Sequence, residues 1–142
     1  MKNLTYLVVT SLLLAHSAYS RTSMFGIYQG AKYRTSISTE DLKATSDWKI
    51  ASREEVPLSP VEALKLAEKS ISEAFPEFVR KVQAIALRQG TDQVWYYEVL
   101  FISNPSEEEI HASGGSISSD QLTIFVTFDG KAIAPKAIKS KN

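Results

Sequence analysis

A capped amphipathic helix is the sequence feature that most constrains the fold of this chain. Ser59-Pro60-Val61-Glu62 places an N-cap serine, a proline at the first helical position and a glutamate at N3, which together predict a capping box. Apolar residues then recur at helical spacing until Pro76, which disfavours the α region for the residue before it. The pattern predicts an amphipathic helix over about residues 60–75, and the apolar face of that helix must be buried.

Segments with strand patterns follow this helix. They are Phe78 to Arg88, Val94 to Ile102 and Leu122 to Phe128, and Asp129-Gly130 then predicts a tight turn into a short strand at Lys131 to Ala134. A helix followed by sequential hairpin strands is typical of an α+β fold. We therefore predict one amphipathic helix packed on an antiparallel sheet of about four strands.

The ends of the chain predict its domain organisation. Residues 1–20 combine a positive start, an apolar run of about twelve residues and small residues before a cleavage point, the pattern of a secretory signal peptide. A retained anchor or a buried first helix is the alternative, but the run is shorter than the roughly twenty residues of a membrane span. Residues 21–47 lack a sustained period and are predicted to be a flexible or arm-like segment. The domain spans 48–138, with a short strand signal at its start (Trp48 to Ala51), and 139–142 forms a C-terminal tail. We expect export to the periplasm or the medium.

Composition excludes several classes of function. The chain has no cysteine, so thiol catalysis, Cys-ligated zinc and iron–sulfur clusters are excluded, and the fold must depend on its own hydrophobic core. Its 16 basic and 16 acidic residues balance to a formal net charge of zero. Without a block of Lys and Arg, nucleic acid and anionic lipid are not favoured as partners, and no membrane insertion is expected after signal cleavage.

The residue types that catalyse reactions or bind metals are sparse, and none stands in a recognisable arrangement. His111 lies in a polar stretch without an orienting partner, and Glu107–Glu109 are consecutive, so their side chains diverge and repel. Glu98 is the one acid inside a strand pattern, and no second carboxylate accompanies it. Gly114-Gly115 has no strand-to-helix context and is read as a loop pair. We predict no catalytic, cofactor-binding or metal-ligating residues.

The strand faces predict a surface for a partner. One face of the second strand segment carries Trp95, Tyr97, Val99 and Phe101 and is expected to meet the helix. The other face would expose a second, largely apolar set: Tyr96, Glu98, Leu100, Ile102 and, from the last strand, Phe125. An exposed apolar patch usually marks a contact surface. The alternative is that the 21–47 segment covers it, through its apolar residues Phe25, Ile27, Tyr28 and Tyr33.

Four short motifs resemble a known family. Trp48, the run Pro57 to Glu68 (PLSPVEALKLAE), Trp95-Tyr96-Tyr97-Glu98-Val99 and Phe128-Asp129-Gly130-Lys131 are similar to those of PepSY-like domains, small exported bacterial modules. The resemblance covers about residues 48–135. It implies a helix on an antiparallel sheet, a location outside the cytoplasm and a role in inhibiting proteases or binding partners. It implies no catalytic residue, and a function inferred from fold alone is an analogy.

Three functions remain open at this stage. The first is a non-enzymatic binding module that acts by protein–protein contact or self-association, through the outer sheet face or an unpaired edge strand. The second is a small-ligand carrier with an apolar pocket between helix and sheet that uses Trp48, Trp95 and Tyr97, where ordinary core packing is the alternative. A weak hydrolase is the third, and the sparse chemistry disfavours it.

Overall fold

The computed structural model describes residues 23–43, 48–90, 93–103, 107–112, 114 and 120–139. Its helices are α1 (Thr39–Lys43), α2 (Pro60–Ala74) and α3 (Glu107–Ala112), and Ile50–Ser52 forms a 3-10 turn. Its strands are β1 (Ser23–Tyr28), β2 (Ala31–Ser36), β3 (Arg80–Gln89), β4 (Trp95–Ser103), β5 (Gln121–Thr127), β6 (Ala132–Ile133) and β7 (Lys136–Ala137). The predicted signal peptide at 1–20 and positions 140–142 of the predicted tail lie outside the described residues.

Helix α2 forms as its sequence predicts. The Ser59 Oγ accepts a hydrogen bond from the Glu62 amide at 3.2 Å, and the Glu62 carboxylate accepts one from the Ser59 amide at 3.1 Å. This reciprocal pair is the predicted capping box. The helix ends at Ala74 because Phe75, which precedes Pro76, leaves the helical region at φ −139°. Its buried residues are Ala63, Ala67 and Ile71, and the two alanines let the helix lie close against the sheet.

Strands β3, β4 and β5 form the antiparallel centre of the sheet. Their bounds lie within two residues of the predicted segments. The alternation on β4 separates two faces. The face with Tyr97, Val99 and Phe101 packs against α2, and the face with Tyr96 meets the segment that begins at Ser23. The sheet is therefore covered on both sides, as its two largely apolar faces require.

A hairpin precedes the helix. Gln29 and Gly30 take positive φ values of 49° and 74°, and this two-residue loop joins β1 to β2 with the handedness that suits twisted strands. Strand β1 pairs with β5 at Ile27 and Gln121. Close to this pair, the backbone of Gly26 packs directly against β5. A Cβ at this position would collide with the Gln121 carbonyl oxygen, so glycine is required here. The hairpin thereby covers an edge of β5 that would otherwise present unpaired backbone groups.

The predicted sheet of about four strands is wrong. Over the described residues the sheet has seven strands, in the order β3-β4-β5-β1-β2-β7, with β6 paired to the end of β5. The main difference comes from residues 23–36, which were read as part of a flexible or arm-like segment and instead form β1 and β2. The sequence pattern does not predict them, because β1 places apolar residues side by side and only the first four residues of β2 alternate apolar and polar side chains.

Two smaller expectations also fail. The strand signal at Trp48–Ala51 corresponds to a 3-10 turn, after which Arg53 adopts a left-handed conformation at φ 58°. The indole of Trp48 donates to the Glu54 carbonyl oxygen at 3.2 Å, so the ring is held by a local turn. The polar stretch between β4 and β5, for which no helix was predicted, contains helix α3 among its described residues.

Candidate functional site

The partner surface predicted from the sequence lies mostly inside the molecule. Tyr96 and Phe125 are both 0 % exposed, and their rings meet edge to face with centroids 5.1 Å apart. Ile37 and Leu42, from the segment after β2 and from α1, cover them. Leu100 and Ile102 are half-buried, and Glu98 is buried, so the set does not form an open patch.

The described part of the 21–47 segment, residues 23–43, covers that face through residues other than those expected. Among Phe25, Ile27, Tyr28 and Tyr33, the two tyrosines instead pack against the end of α2. Tyr28 and Tyr33 meet the ring of Phe75 with centroids 5.6 and 5.3 Å away. Phe25 and Ile27 point outward. The hairpin therefore contacts both sides of the sheet at its edge.

Glu98 forms a partly buried ion pair with Arg88. The Arg88 guanidinium donates to Glu98 Oε1 at 3.2 Å. The Glu98 side chain is 8 % exposed, whereas that of Arg88 is 39 % exposed. Among the described residues, neither Arg88 Nε nor Glu98 Oε2 has a hydrogen-bond partner. A buried carboxylate with only one of its oxygens hydrogen-bonded is strongly destabilising if its cation is removed.

The aromatic residues proposed for a carrier pocket pack against one another. The Trp48 ring lies 6.0 Å from that of Trp95 and 5.7 Å from that of Phe128, both edge to face. Tyr97 donates its hydroxyl to the Leu58 carbonyl oxygen at 2.8 Å, and burial raises the pKa of this hydroxyl. Tyr97 and Phe128 belong to the buried core, and the partly buried Trp48 and Trp95 pack against that core as ordinary aromatic side chains.

The polar residues singled out from the sequence stay dispersed. His111 and Glu108 are exposed on α3. Within the ranges that the structure describes, no group of three or more His, Cys, Asp or Glu residues could hold a metal ion. In the same ranges, no helix is both long enough and apolar enough to pass through a bilayer.

A different surface stands out on the outward side of the hairpin, which we call the outer hairpin face. It consists of Phe25 and Ile27 on β1, Lys32 and Arg34 on β2, and Lys136 and Ile138 at β7. Phe25 is 68 % exposed, Ile27 43 % and Ile138 42 %. Large apolar side chains that are both exposed and neighbouring usually mark a contact surface.

Strand register fixes the arrangement of this face. Phe25 lies opposite Arg34, and Ile27 lies opposite Lys32. On the other side of β2, Arg34 lies opposite Lys136, while the Ile138 amide donates to the Lys32 carbonyl oxygen at 2.9 Å. The face therefore carries an apolar column on β1 beside a cationic column on β2, with strands about 4.8 Å apart.

The outer hairpin face borders two grooves. The larger, of about 810 Å³, runs between the hairpin and the segment that contains β6 and β7. Its charged lining residues are Arg34, Lys131, Lys136, Lys139 and Asp41, four cations against one carboxylate. The smaller groove, of about 470 Å³, lies beside Phe25, Ile27 and Ile138 and includes Lys32. Both grooves are therefore rimmed by positive charge.

One of these cations is paired. Lys131 donates to Asp41, which also accepts hydrogen bonds from the Ser38 hydroxyl at 2.7 Å and the Ser38 amide at 3.0 Å. Hydrogen bonds from Lys131 and Ser38 lower the pKa of Asp41 from 3.8 to about 2. The contact with Asp41 raises the pKa of Lys131. This pair attaches α1 to the loop between β5 and β6.

The remaining cations around the grooves lack a carboxylate partner among the described residues. Of Lys32, Arg34, Lys136 and Lys139, none has a described carboxylate oxygen within 4.0 Å. The chain has a formal net charge of zero, so this region concentrates positive charge that is balanced elsewhere. Such local asymmetry is not visible in a composition count.

The open edge of the sheet at β3 is less suited to a partner strand. β3 has a register irregularity between Val82 and Ala84 and carries charged residues Arg80, Lys81 and Arg88. Bulges and charged side chains are the usual protection of an edge strand against pairing with another chain. The sequence signal for the outer hairpin face was Gln29-Gly30 between an apolar-rich segment and the alternation of Ala31 to Arg34, which a search for short hairpins could have found.

Comparison with protein-family models, with curated proteins and with solved structures found no match for this chain.

Proposed function

We propose that this protein is an exported, non-enzymatic binding module that contacts another protein through the outer hairpin face. The observation that carries the proposal is the exposure of Phe25, Ile27 and Ile138 around one groove, on a face that also carries three cations. Leaving such side chains in water forgoes the stabilisation that burial would bring. A partner that covers them would recover it.

Contact with a different protein is favoured over pairing with a second copy. A two-fold contact places each residue of a patch near the same patch of the partner. Here this would bring Lys32, Arg34 and Lys136 of one copy toward those of the other. Like charges brought together in this way oppose association.

Export and protease inhibition enter the proposal from the sequence. The pattern of residues 1–20 supports a location outside the cytoplasm. The PepSY-like resemblance is the sole support for protease inhibition, and stoichiometric slowing of an envelope protease by the purified protein would test it.

Site-specific photocrosslinking in the native host tests the contact surface. Benzoylphenylalanine replaces Phe25 or Ile138 in the full chain, and exposed Val61 on α2 and Val79 before β3 serve as matched control sites. We expect a discrete protein adduct from positions 25 and 138 and none from the two controls.

Three outcomes would contradict the proposal. They are the lack of a protein adduct at positions 25 and 138, equal labelling from all four positions, and an adduct with the mass of two copies of this chain. Purified protein that carries benzoylphenylalanine at position 25 or 138 should keep the native urea midpoint, which shows that a missing adduct reflects the surface and not unfolding.

A further inference from the structure

We propose that the segment bound at the outer hairpin face is an acidic one, with aspartate or glutamate side chains next to apolar ones. This inference rests on the proposed function and names the chemistry of the partner. It starts from Arg34 and Lys136, which lie directly opposite each other on adjacent strands. Like charges at directly opposed positions destabilise a sheet.

The surroundings of this pair do not relieve the repulsion. Among the described residues, the nearest carboxylate that lines the groove is Asp41, and it is engaged by Lys131 and Ser38. A carboxylate supplied by a partner would offset both cations of the opposed pair. Sites where a local rule of stability is broken without internal compensation are often functional sites.

The apolar column on β1 and the cationic column on β2 together predict which side chains the partner segment has besides its carboxylates. Carboxylates placed over Arg34 and Lys32 would put neighbouring side chains of the same segment over Phe25 and Ile27, one strand spacing away. Those neighbours must be apolar to cover the exposed ring and the exposed aliphatic side chain. The structure thus matches a mixed acidic and apolar segment better than a run of acids alone.

The shape of the site favours a polypeptide over an anionic membrane. The cations Arg34, Lys136 and Lys139 line a groove of about 810 Å³, and Phe25 and Ile138 lie at the junction of this groove with the smaller one. A concave site accepts a chain that enters it, whereas a lipid surface meets projecting side chains that lie in one plane.

Peptide binding to the full mature protein tests the inference. The probe is a fluorescent ten-residue peptide of Glu and Leu, compared with peptides in which Gln or Lys replaces every Glu. We expect the Glu peptide to bind at least tenfold more tightly than the Gln peptide, and binding to weaken as salt is raised from 50 to 500 mM, because salt screens exposed charges.

Paired variants locate the binding. Arg34→Gln/Lys136→Gln should weaken the Glu peptide about tenfold. Lys65→Gln/Lys81→Gln removes the same charge from exposed positions on α2 and β3 and should bind as the native protein does.

Four results would overturn the inference: no binding of the Glu peptide, equal binding of the Gln or Lys peptide, equal loss in both paired variants, or binding instead to vesicles that contain phosphatidylglycerol. Any of these together with specific crosslinking at positions 25 and 138 would leave the proposed function standing and show that its partner is not acidic.

Discussion

At the scale of single residues, two ion pairs join different elements of the fold. One has a buried carboxylate and the other connects residues far apart in the sequence. Arg88 and Glu98 join β3 to β4 with the carboxylate buried. Asp41 and Lys131, ninety positions apart, join α1 to the loop after β5. The two pairs should respond differently to mutation, because only the first leaves a largely buried charge behind when its partner is removed.

Arg88→Met should lower the free energy of unfolding by about 2 kcal/mol, since the buried Glu98 side chain would lose its cation and its hydrogen-bond donor. Arg88→Met/Glu98→Leu should recover much of this loss. Urea unfolding of the native protein, of Arg88→Met and Glu98→Leu alone, and of the double variant measures the coupling. Lys81→Met, an exposed cation on the same strand, should change stability by less than about 0.5 kcal/mol. If Arg88→Met and the double variant lost equal free energy of unfolding, the uncompensated Glu98 carboxylate would not be the cause of the loss.

Asp41→Asn should be destabilising near neutral pH and harmless in acid. Folding lowers the pKa of Asp41 from 3.8 to about 2, so its stabilisation is present above about pH 4 and is lost as the pH falls toward 2. Urea midpoints of native and Asp41→Asn protein should therefore differ at pH 6 and converge near pH 2. Glu40→Gln, the adjacent exposed acid, should show a smaller difference at pH 6. A pH-independent difference for Asp41→Asn would refute the assignment.

At the scale of elements, α1 stabilises the fold out of proportion to its five residues. Its one buried residue, Leu42, is 2 % exposed and packs in the cluster with Ile37, Tyr96 and Phe125. A helix this short does not persist alone in water. Its first turn is held instead by the Ser38 and Lys131 contacts of Asp41, and its position is held by this packing.

Leu42→Ala should lower the free energy of unfolding by about 2–4 kcal/mol, because it removes buried methyl groups and leaves a cavity over Tyr96 and Phe125. Chemical denaturation followed by tryptophan fluorescence gives the value. Ile50→Ala, at an exposed aliphatic residue of the 3-10 turn, is the matched control and should cost less than about 1 kcal/mol. A loss at Leu42 no greater than at Ile50 would mean that α1 does not cover the sheet in solution.

At the scale of the whole molecule, the hairpin and α1 complete a sheet that the rest of the chain leaves open. They cover the outer face through Ile37 and Leu42 and the edge of β5 through the hairpin. Thr35 Oγ1 reinforces this edge with a hydrogen bond to the Thr123 carbonyl oxygen at 2.5 Å. Removal of this covering exposes aromatic side chains and a strand edge together, the combination that promotes association.

A chain of residues 48–142 should therefore associate at concentrations where 21–142 stays dispersed. Light scattering at matched concentrations compares the two. The shorter chain with Tyr96→Asp and Phe125→Asp should associate less, if it remains folded by circular dichroism, because these residues form the uncovered surface. A well-behaved monomer of 48–142 would show that residues 23–43 are dispensable for covering the sheet.

Local chemistry was enough to predict α2 and the central strands. These elements are specified by the Ser59–Glu62 capping box, Pro76 and the alternation of β4. Each of these features acts between residues close in sequence, so it can be recognised without the tertiary structure. The turn at Asp129-Gly130 was predicted on the same grounds, and Gly130 takes φ 85° there. The count of strands was wrong because β1 lacks an alternating pattern, and because the two-residue strand β7 forms only by pairing with β2, about a hundred positions away.

The sequence by itself thus determined which segments of the chain become the helix and the central strands, and that both faces of the sheet are apolar. Only the tertiary structure decided which side chains stay in water. Tyr96 and Phe125 became core while Phe25 and Ile138 became surface, since burial depends on which distant segment crosses a strand face. The opposition of Arg34 and Lys136 likewise follows from the pairing of β2 with β7, a contact between residues about a hundred positions apart.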